Sequence, residues 1–434
     1  MLHWFEAALL TAPPVAAVTI SIAAMLLVGF AVTRLTRLAK LPHVTAYVLA
    51  GILIGPDCLN LVPTNVAEGM DFLSDIALAF IAFGAGEYLN AGAWKKSGGK
   101  VILITVLEAC VASVFVFAAA YFLLHLELAF SMVLAALAAA TAPASTLMTI
   151  RQTGAKGDFV NTLLQVVVLD DAVGLMEYSI AIAIAVASVL NEGAGAGFSG
   201  IIRPILSNLC VWVLGGLFGF LIKLLTPQKR SADNRLILSV GLLFAFCGIC
   251  AMLSVSPLLG CMIMGDVYAN IADSGQLFRQ LNSFSPPILL LFFVGSGMSF
   301  RFRSLFQSSG GVGAVPLAAI GVLYFFARII GKYAGAYLGC LLAREPREVR
   351  NYLGLALIPQ AGVAIGLAAF GARTLGGEAG SALQTIVLAS SVLYELIGPG
   401  CAKLSLYLSK SYVRPPASPL SCVRKDSHGN KNIL

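Results

Sequence analysis

The residues best suited to chemistry are two adjacent acids, Asp170 and Asp171, within the apolar run FVNTLLQVVVLDDAVGLMEYSIAIAIAVASVL. They fall near the middle of a membrane span, where an ionised side chain costs several kcal/mol unless it is paired or lines water. Neighbours on one helix point about 100 degrees apart. One acid can therefore face a cation pathway while the other faces a partner on a different helix. Carboxylate oxygens suit a hard alkali cation and offer nothing to soft metals. Glu177 lies on nearly the same face as Asp170, closer to the span's far end, and reads either as a rim residue of that site or as an interfacial anchor.

The opposite charge comes from AVPLAAIGVLYFFARIIGKYAGAYLGCLLA, which places Arg328 and Lys332 four residues apart on one face. A lysine at mid-membrane must pair with a carboxylate or lose its proton, and Asp170 or Asp171 is the evident partner. Spacing leaves open whether Lys332 or Arg328 holds the pairing aspartate. Gly331, Gly335 and Gly339 repeat at the same interval and let a neighbouring helix come close. Two further runs are interrupted by proline. MVLAALAAATAPASTLMTIR breaks at Thr141-Ala142-Pro143 and continues with Ser145 and Thr146, and YLGLALIPQAGVAIGLAAF breaks at Pro359 and continues with Gln360 and Gly362. Discontinuous helices that meet at the bilayer midplane free carbonyls and half-helix ends for ion coordination in secondary transporters.

What positions these residues is a membrane scaffold. The chain has 434 residues, 59% hydrophobic and 11% charged, with a mean hydropathy of +0.90. A soluble domain is about half apolar and a quarter charged, so this is an all-α integral membrane protein with no sizeable soluble domain. A hydropathy reading gives about 13 transmembrane helices, near 15–33, 42–56, 70–90, 100–124, 128–151, 158–190, 200–226, 234–253, 256–270, 283–299, 312–343, 350–374 and 381–410. The order helix, broken helix, charged helix over spans four to six returns as charged helix, broken helix, helix over spans eleven to thirteen. That pattern predicts inverted repeats with two crossing broken helices. Arg34, Arg37, Lys95, Lys96, Lys156, Lys223, Arg344, Arg347 and Arg350 all fall on one side of this arrangement, which predicts an outside N-terminus and a cytoplasmic C-terminus.

Several function classes are excluded. The formal charge of +7 is spread over span flanks, with no basic domain to hold nucleic acid. The nine cysteines are scattered through apolar runs, and the one close pair, Cys247 and Cys250, reads as small apolar residues rather than a redox or metal motif. An intramembrane aspartyl protease needs its two acids on different helices, and a serine or zinc membrane protease needs a histidine at depth. Here His3, His43, His125 and His428 all fall at ends or loops. The first dozen residues carry no Lys or Arg, unlike a cleaved signal peptide. No G-x-G-x-x-G follows the last span, so no nucleotide partner is expected, and residues 411–434 read as a disordered cytoplasmic tail.

Six segments together resemble a known family: LPHVTAYVLAGILIGP in span two, TAPAST in the first break, the LDD pair, ARIIGKYAGAYLG, LIPQAGVAIGLA in the second break and YELIGPG in the last span. In this order, over nearly the whole chain, they are similar to the monovalent cation/proton antiporter superfamily, in particular its NapA-like bacterial Na+/H+ antiporter branch. The resemblance implies the NhaA/NapA-like antiporter fold in a bacterial cytoplasmic (inner) membrane, as a homodimer. Residues 1–99 and 227–299 would form a dimerisation domain. Residues 100–226 and 300–410 would form a transport core that moves against it like an elevator. It implies that Asp171 binds cation or proton, that Asp170 pairs with Lys332, and that Thr141 to Thr146, Ser145 included, lie at the cation with Pro143, Pro359 and Gln360 at the crossover. Many members carry an aspartate where this chain has Ala142.

The coupling follows from the residues themselves. A desolvated carboxylate holds either a proton or a dehydrated Na+ or Li+, so competition at one site links the two fluxes with no cofactor. If Asp170 also releases Lys332, a second proton moves and the exchange becomes electrogenic. A K+/H+ antiporter and a non-transporting membrane sensor on the same fold are the alternatives. Among the other acids in or near spans, Glu395 is a candidate for the site or a charge network, whereas Asp75, Glu87, Glu108 and Asp266 read as interface or dimer-side residues.

Overall fold

In hydrocarbon every backbone N–H and C=O must find a partner within the chain, so long apolar runs become helices. The computed structural model describes residues 11–38, 42–70, 72–87, 91–190, 198–227, 230–253, 255–272, 275–306, 315–360 and 362–412. The expectations for the first ten residues and for the tail beyond 412 lie outside the described residues. In chain order the helices that matter are α1 (Pro14–Thr36), α2 (His43–Ile54), α3 (Phe72–Gly86), α4 (Ala91–Phe117), α5 (Leu128–Leu137), α6 (Pro143–Thr153), α7 (Asp158–Leu190), α8 (Phe198–Leu225), α9 (Ala232–Met252), α10 (Leu258–Ile271), α11 (Gln276–Phe284), α12 (Pro286–Met298), α13 (Leu317–Leu342), α14 (Arg347–Ala356), α15 (Gly362–Leu375) and α16 (Gly377–Leu408).

Helix coincides with each run expected from hydropathy. The fifth is divided between α5 and α6 and the twelfth between α14 and α15. Among the described residues α1, Gly98–Leu123, α9, α13 and α16 are each long and apolar enough to cross a bilayer. The tenth run differs from expectation: α11 precedes α12, and the two form one candidate span bent by 49°. Pro286 and Pro287 have no N–H to continue the ladder of α11, yet suit the first positions of a new helix.

Both interruptions at Pro143 and Pro359 have a steric cause. Proline disfavours the α conformation of the residue before it. Ala142 accordingly sits in extended backbone (φ −92°, ψ 99°), and Pro143 opens α6. Ala138 and Leu357 terminate α5 and α14, so each break leaves a short unwound segment between two half-helices.

Two packed groups surround these segments. α4, α5, α7, α13, α14 and α16 pack on one another around the breaks, while α2 lies on α1 and α12, and α10 lies on α3 and α8. The groups meet where α15 touches α3 and α12, and where α7 touches α8 and α10. The tightest seam near the breaks joins α13 to α4. Cβ atoms at Gly331, Gly335 and Gly339 would approach the Cα atoms of Ala112, Glu108 and Ile104 to 2.7, 2.6 and 2.8 Å. Both sets repeat every four residues, so the bare stripe of one helix receives the ridge of the other.

Candidate functional site

Unwinding a helix leaves carbonyls without donors, and in a membrane interior each must be met by another group. The two breaks meet these needs largely for each other. Ala142 N–H donates to Pro359 O at 2.9 Å. The Thr141 hydroxyl donates to Leu357 O at 3.4 Å, the Thr146 hydroxyl to Ala356 O at 3.1 Å, and Gln360 Nε2 to Leu137 O at 2.6 Å. Arg328 supplies three more donors. Its Nε donates to Ala138 O (2.9 Å), Nη1 to Ile358 O (2.7 Å) and Nη2 to Ala140 O (2.7 Å). Its guanidinium lies over the Tyr394 ring, 4.6 Å from the centroid. A planar fork of five donors can bridge carbonyls of two segments at once, which an ammonium cannot.

Lys332, one turn along α13, reaches the same seam. Its Nζ donates to Ala139 O, in the first break, and lies 3.0 Å from Asp170 Oδ2. Of the two cations it is therefore Lys332 that holds Asp170, while Arg328 braces the breaks. The Lys332 ammonium also lies 2.7 Å from Glu108 Oε2. This corrects the expectation that Glu108 is an interface or dimer-side residue: the glycine stripe of α13 brings the α4 backbone close enough for its carboxylate to enter the cluster. Lys332, Asp170 and Glu108 are all fully buried.

Asp171 is placed differently. It is half-buried, and its Oδ1 has no hydrogen-bond partner in the protein. Gly174, one turn later, lets α7 pack on the first break, where a Cβ would come to 3.3 Å from Ala140 N. The pair thus lies against the unwound segment, with one acid tied to a lysine and the other holding a buried carboxylate oxygen that no protein donor meets.

Of the remaining expected residues, Ser145 is buried and donates its hydroxyl to Glu395 Oε2 at 2.6 Å, which joins α6 to α16. Pro359 packs on α16, its Cγ at 2.7 Å from where a Cβ would stand on Gly398. Pro143 contributes to the geometry through its backbone position at the start of α6. Gln360 also bonds the hydroxyl of Tyr324, and the Tyr394 hydroxyl donates to Phe325 O. Glu177 stands apart from the breaks, where its Oε2 accepts from the Ser113 hydroxyl of α4 at 2.6 Å.

Chemically, the arrangement provides oxygen ligands for a hard cation, an acid that can exchange a proton, and a fixed pair of positive charges beside them. Residues 21–397 match the family model described as sodium/hydrogen exchanger, transmembrane. The Na+/H+ antiporter NhaH of Halobacillus aidingensis is 24% identical over 356 residues, covering 78% of this chain and 86% of its own. Its counterpart from Halobacillus dabanensis is 25% identical over 357 residues with the same coverage. Among solved structures, the sodium proton antiporter MjNhaP1 from Methanocaldococcus jannaschii at pH 8 superposes with a TM-score of 0.67 at 16% identity, over 91% of this chain and 98% of that one.

Proposed function

The chain belongs to the sodium/hydrogen exchanger family and is a multi-pass membrane protein that exchanges a cation for protons, and from that premise we propose that it exchanges Na+ or Li+ for H+ at Asp171. The observation that carries this reading is the contrast between the two acids: Asp170 is held by Lys332, whereas Asp171 offers a carboxylate oxygen with no protein partner. A desolvated carboxylate accepts a proton or a dehydrated cation and never both, so the two ions compete for one place. The Thr141 and Ser145 hydroxyl oxygens keep lone pairs to offer a cation, and Asp170 completes the set when it turns from the lysine.

When Asp170 leaves Lys332, the carboxyl groups around that lysine give up a second proton, which makes the exchange electrogenic. Each net charge then feels about 2.3 kcal/mol per 100 mV of membrane potential. Residues 100–226 and 300–410 move as a core against residues 1–99 and 227–299, through which two copies associate. The N-terminus faces outside and the C-terminus the cytoplasm.

The test is proton flux in proteoliposomes after addition of NaCl, LiCl, KCl or choline chloride, with Asp171→Asn as the blank. Proton movement driven by Na+ or Li+ and lost in the variant supports the reading. A response confined to K+ replaces the cation, and silence to every salt by folded protein overturns exchange at this site.

A further inference from the structure

The Lys332 ammonium, with three N–H donors and no acceptor, donates to Ala139 O and to the Asp170 carboxylate, and a second carboxylate, that of Glu108, forms an ion pair with it at 2.7 Å. Exchange as proposed above calls for one carboxylate on this lysine, yet there are two, and they come from different helices. Asp170 is on α7 beside Asp171, whereas Glu108 is on α4 and is seated by Gly335 of α13. The other charged groups nearby are engaged elsewhere: Arg328 with three break carbonyls and Glu177 with Ser113.

The two acids therefore have unequal freedom. A cation at Asp171 attracts the adjacent Asp170, and if Asp170 were the lysine's sole carboxylate, its departure would leave a buried ammonium unpaired. Breaking a buried pair by removing one partner is strongly destabilising, so the cation would have to compete with Lys332 for Asp170. Glu108 removes that conflict. It approaches from a different helix, at the shorter of the two distances, and its backbone is fixed against α13.

We propose that Glu108 is a positioning residue of the exchange, which keeps the Lys332 ammonium in place while Asp170 turns to the cation. The inference rests on the exchange reading, because it requires a cation that reaches Asp170 and Asp171.

The test is the Na+ dependence of proton flux in proteoliposomes for Glu108→Gln and Glu108→Asp. With Glu108→Gln, Na+ competes with the lysine for Asp170, so the apparent Na+ KM rises about tenfold, the size of one lost buried contact, while the maximal rate falls far less. Glu108→Asp recovers much of the affinity. In a Lys332→Gln background there is no ammonium to hold, so Glu108→Gln adds no further loss of Na+ affinity, read as thermal stabilisation by NaCl against choline chloride. Gly335→Ala, which displaces the Glu108 backbone without removing a carboxylate, raises KM in the same direction and keeps the question answerable if Glu108→Gln does not fold. An unshifted KM in folded Glu108→Gln or Gly335→Ala, or an equal shift that persists without Lys332, overturns the inference and leaves exchange at Asp171 standing. A wild type that moves no protons with any cation overturns both.

Discussion

Replacement of Arg328 distinguishes a structural guanidinium from a merely positive one. Its three hydrogen bonds reach Ala138 O and Ala140 O in one break and Ile358 O in the other. Arg328 is itself fully buried. In Arg328→Met most of the side-chain volume is kept while all three carbonyls lose their donor. At about 1–3 kcal/mol for each buried group left unsatisfied, the loss is roughly 3–9 kcal/mol, and the contact with the Tyr394 ring adds about 1–2 kcal/mol. That is comparable with the entire stability of about 5–15 kcal/mol typical of a folded protein. Arg328→Lys keeps the charge, but its donors radiate from one atom and cannot span two segments, so two carbonyls are stranded at roughly 2–6 kcal/mol. Thermal unfolding of detergent-purified protein, with elution profile as the check on folding, should therefore rank wild type above Arg328→Lys and Arg328→Lys above Arg328→Met. Equal stability of wild type and Arg328→Lys would mean that charge alone matters. Equal stability of wild type and Arg328→Met would mean that other groups satisfy the break carbonyls, and the account of the seam would fail.

Three further outcomes follow from the same geometry. Gly335→Ala should lower the melting temperature by the equivalent of about 1–3 kcal/mol, because its Cβ would stand 2.6 Å from Glu108 Cα and Leu107 O; Gly400→Ala, with nothing within 4 Å, serves as the control and should not. Ser145→Ala strips Glu395 of its donor and should cost about 1–3 kcal/mol, whereas Ser145→Thr, which keeps the hydroxyl, should melt closer to wild type. The bidentate contact of Arg373 with Asp75, 3.1 Å at one oxygen, is about a third exposed, so Asp75→Asn should change unfolding by no more than about 1 kcal/mol, and a larger loss would show that this contact is buried in the membrane-embedded protein.

The two interruptions were legible because their cause is local: Pro143 and Pro359 disfavour helix at the residue before them, although Pro399 lies within α16 without ending it. Asp170 and Asp171 were legible for a similar reason, since the cost of an acid at bilayer depth does not depend on knowing its neighbours. Glu108 was not. Judged by its own span it is one acid among several, and its meaning lies in a match between two distant segments, Ile104, Glu108 and Ala112 against Gly339, Gly335 and Gly331. Both four-residue series are present in the sequence, and aligning them would have placed this acid beside Lys332. The division of labour between Arg328 and Lys332 depends on which carbonyls each break exposes, and one-dimensional spacing carries no such information. The bend between α11 and α12 had a signal in Pro286 and Pro287 that hydropathy averaging conceals.

The density of bonds between the breaks bears on how a site at this depth reaches both sides of a membrane. Leu137, Ala138, Ala139 and Ala140 in one segment, and Ala356, Leu357, Ile358 and Pro359 in the other, each give their carbonyl to a named donor. Sliding one break past the other would strand several of these groups at once in a region where water cannot replace them. Motion inside this set is therefore more costly than motion of the set as a whole. Its boundary with α3 and α12 is of another kind. A cavity of about 570 Å³ lies there, lined by Ser74 and Ser296 on one side and Ala369, Arg373 and Gln384 on the other, and the partly exposed contact of Arg373 with Asp75 crosses the same boundary. A cavity beside a tightly bonded unit leaves room for rigid displacement of that unit, which is what the proposed elevator requires. The unit would then carry Asp171 with its two breaks and two cations unchanged, and only the side from which ions arrive would differ.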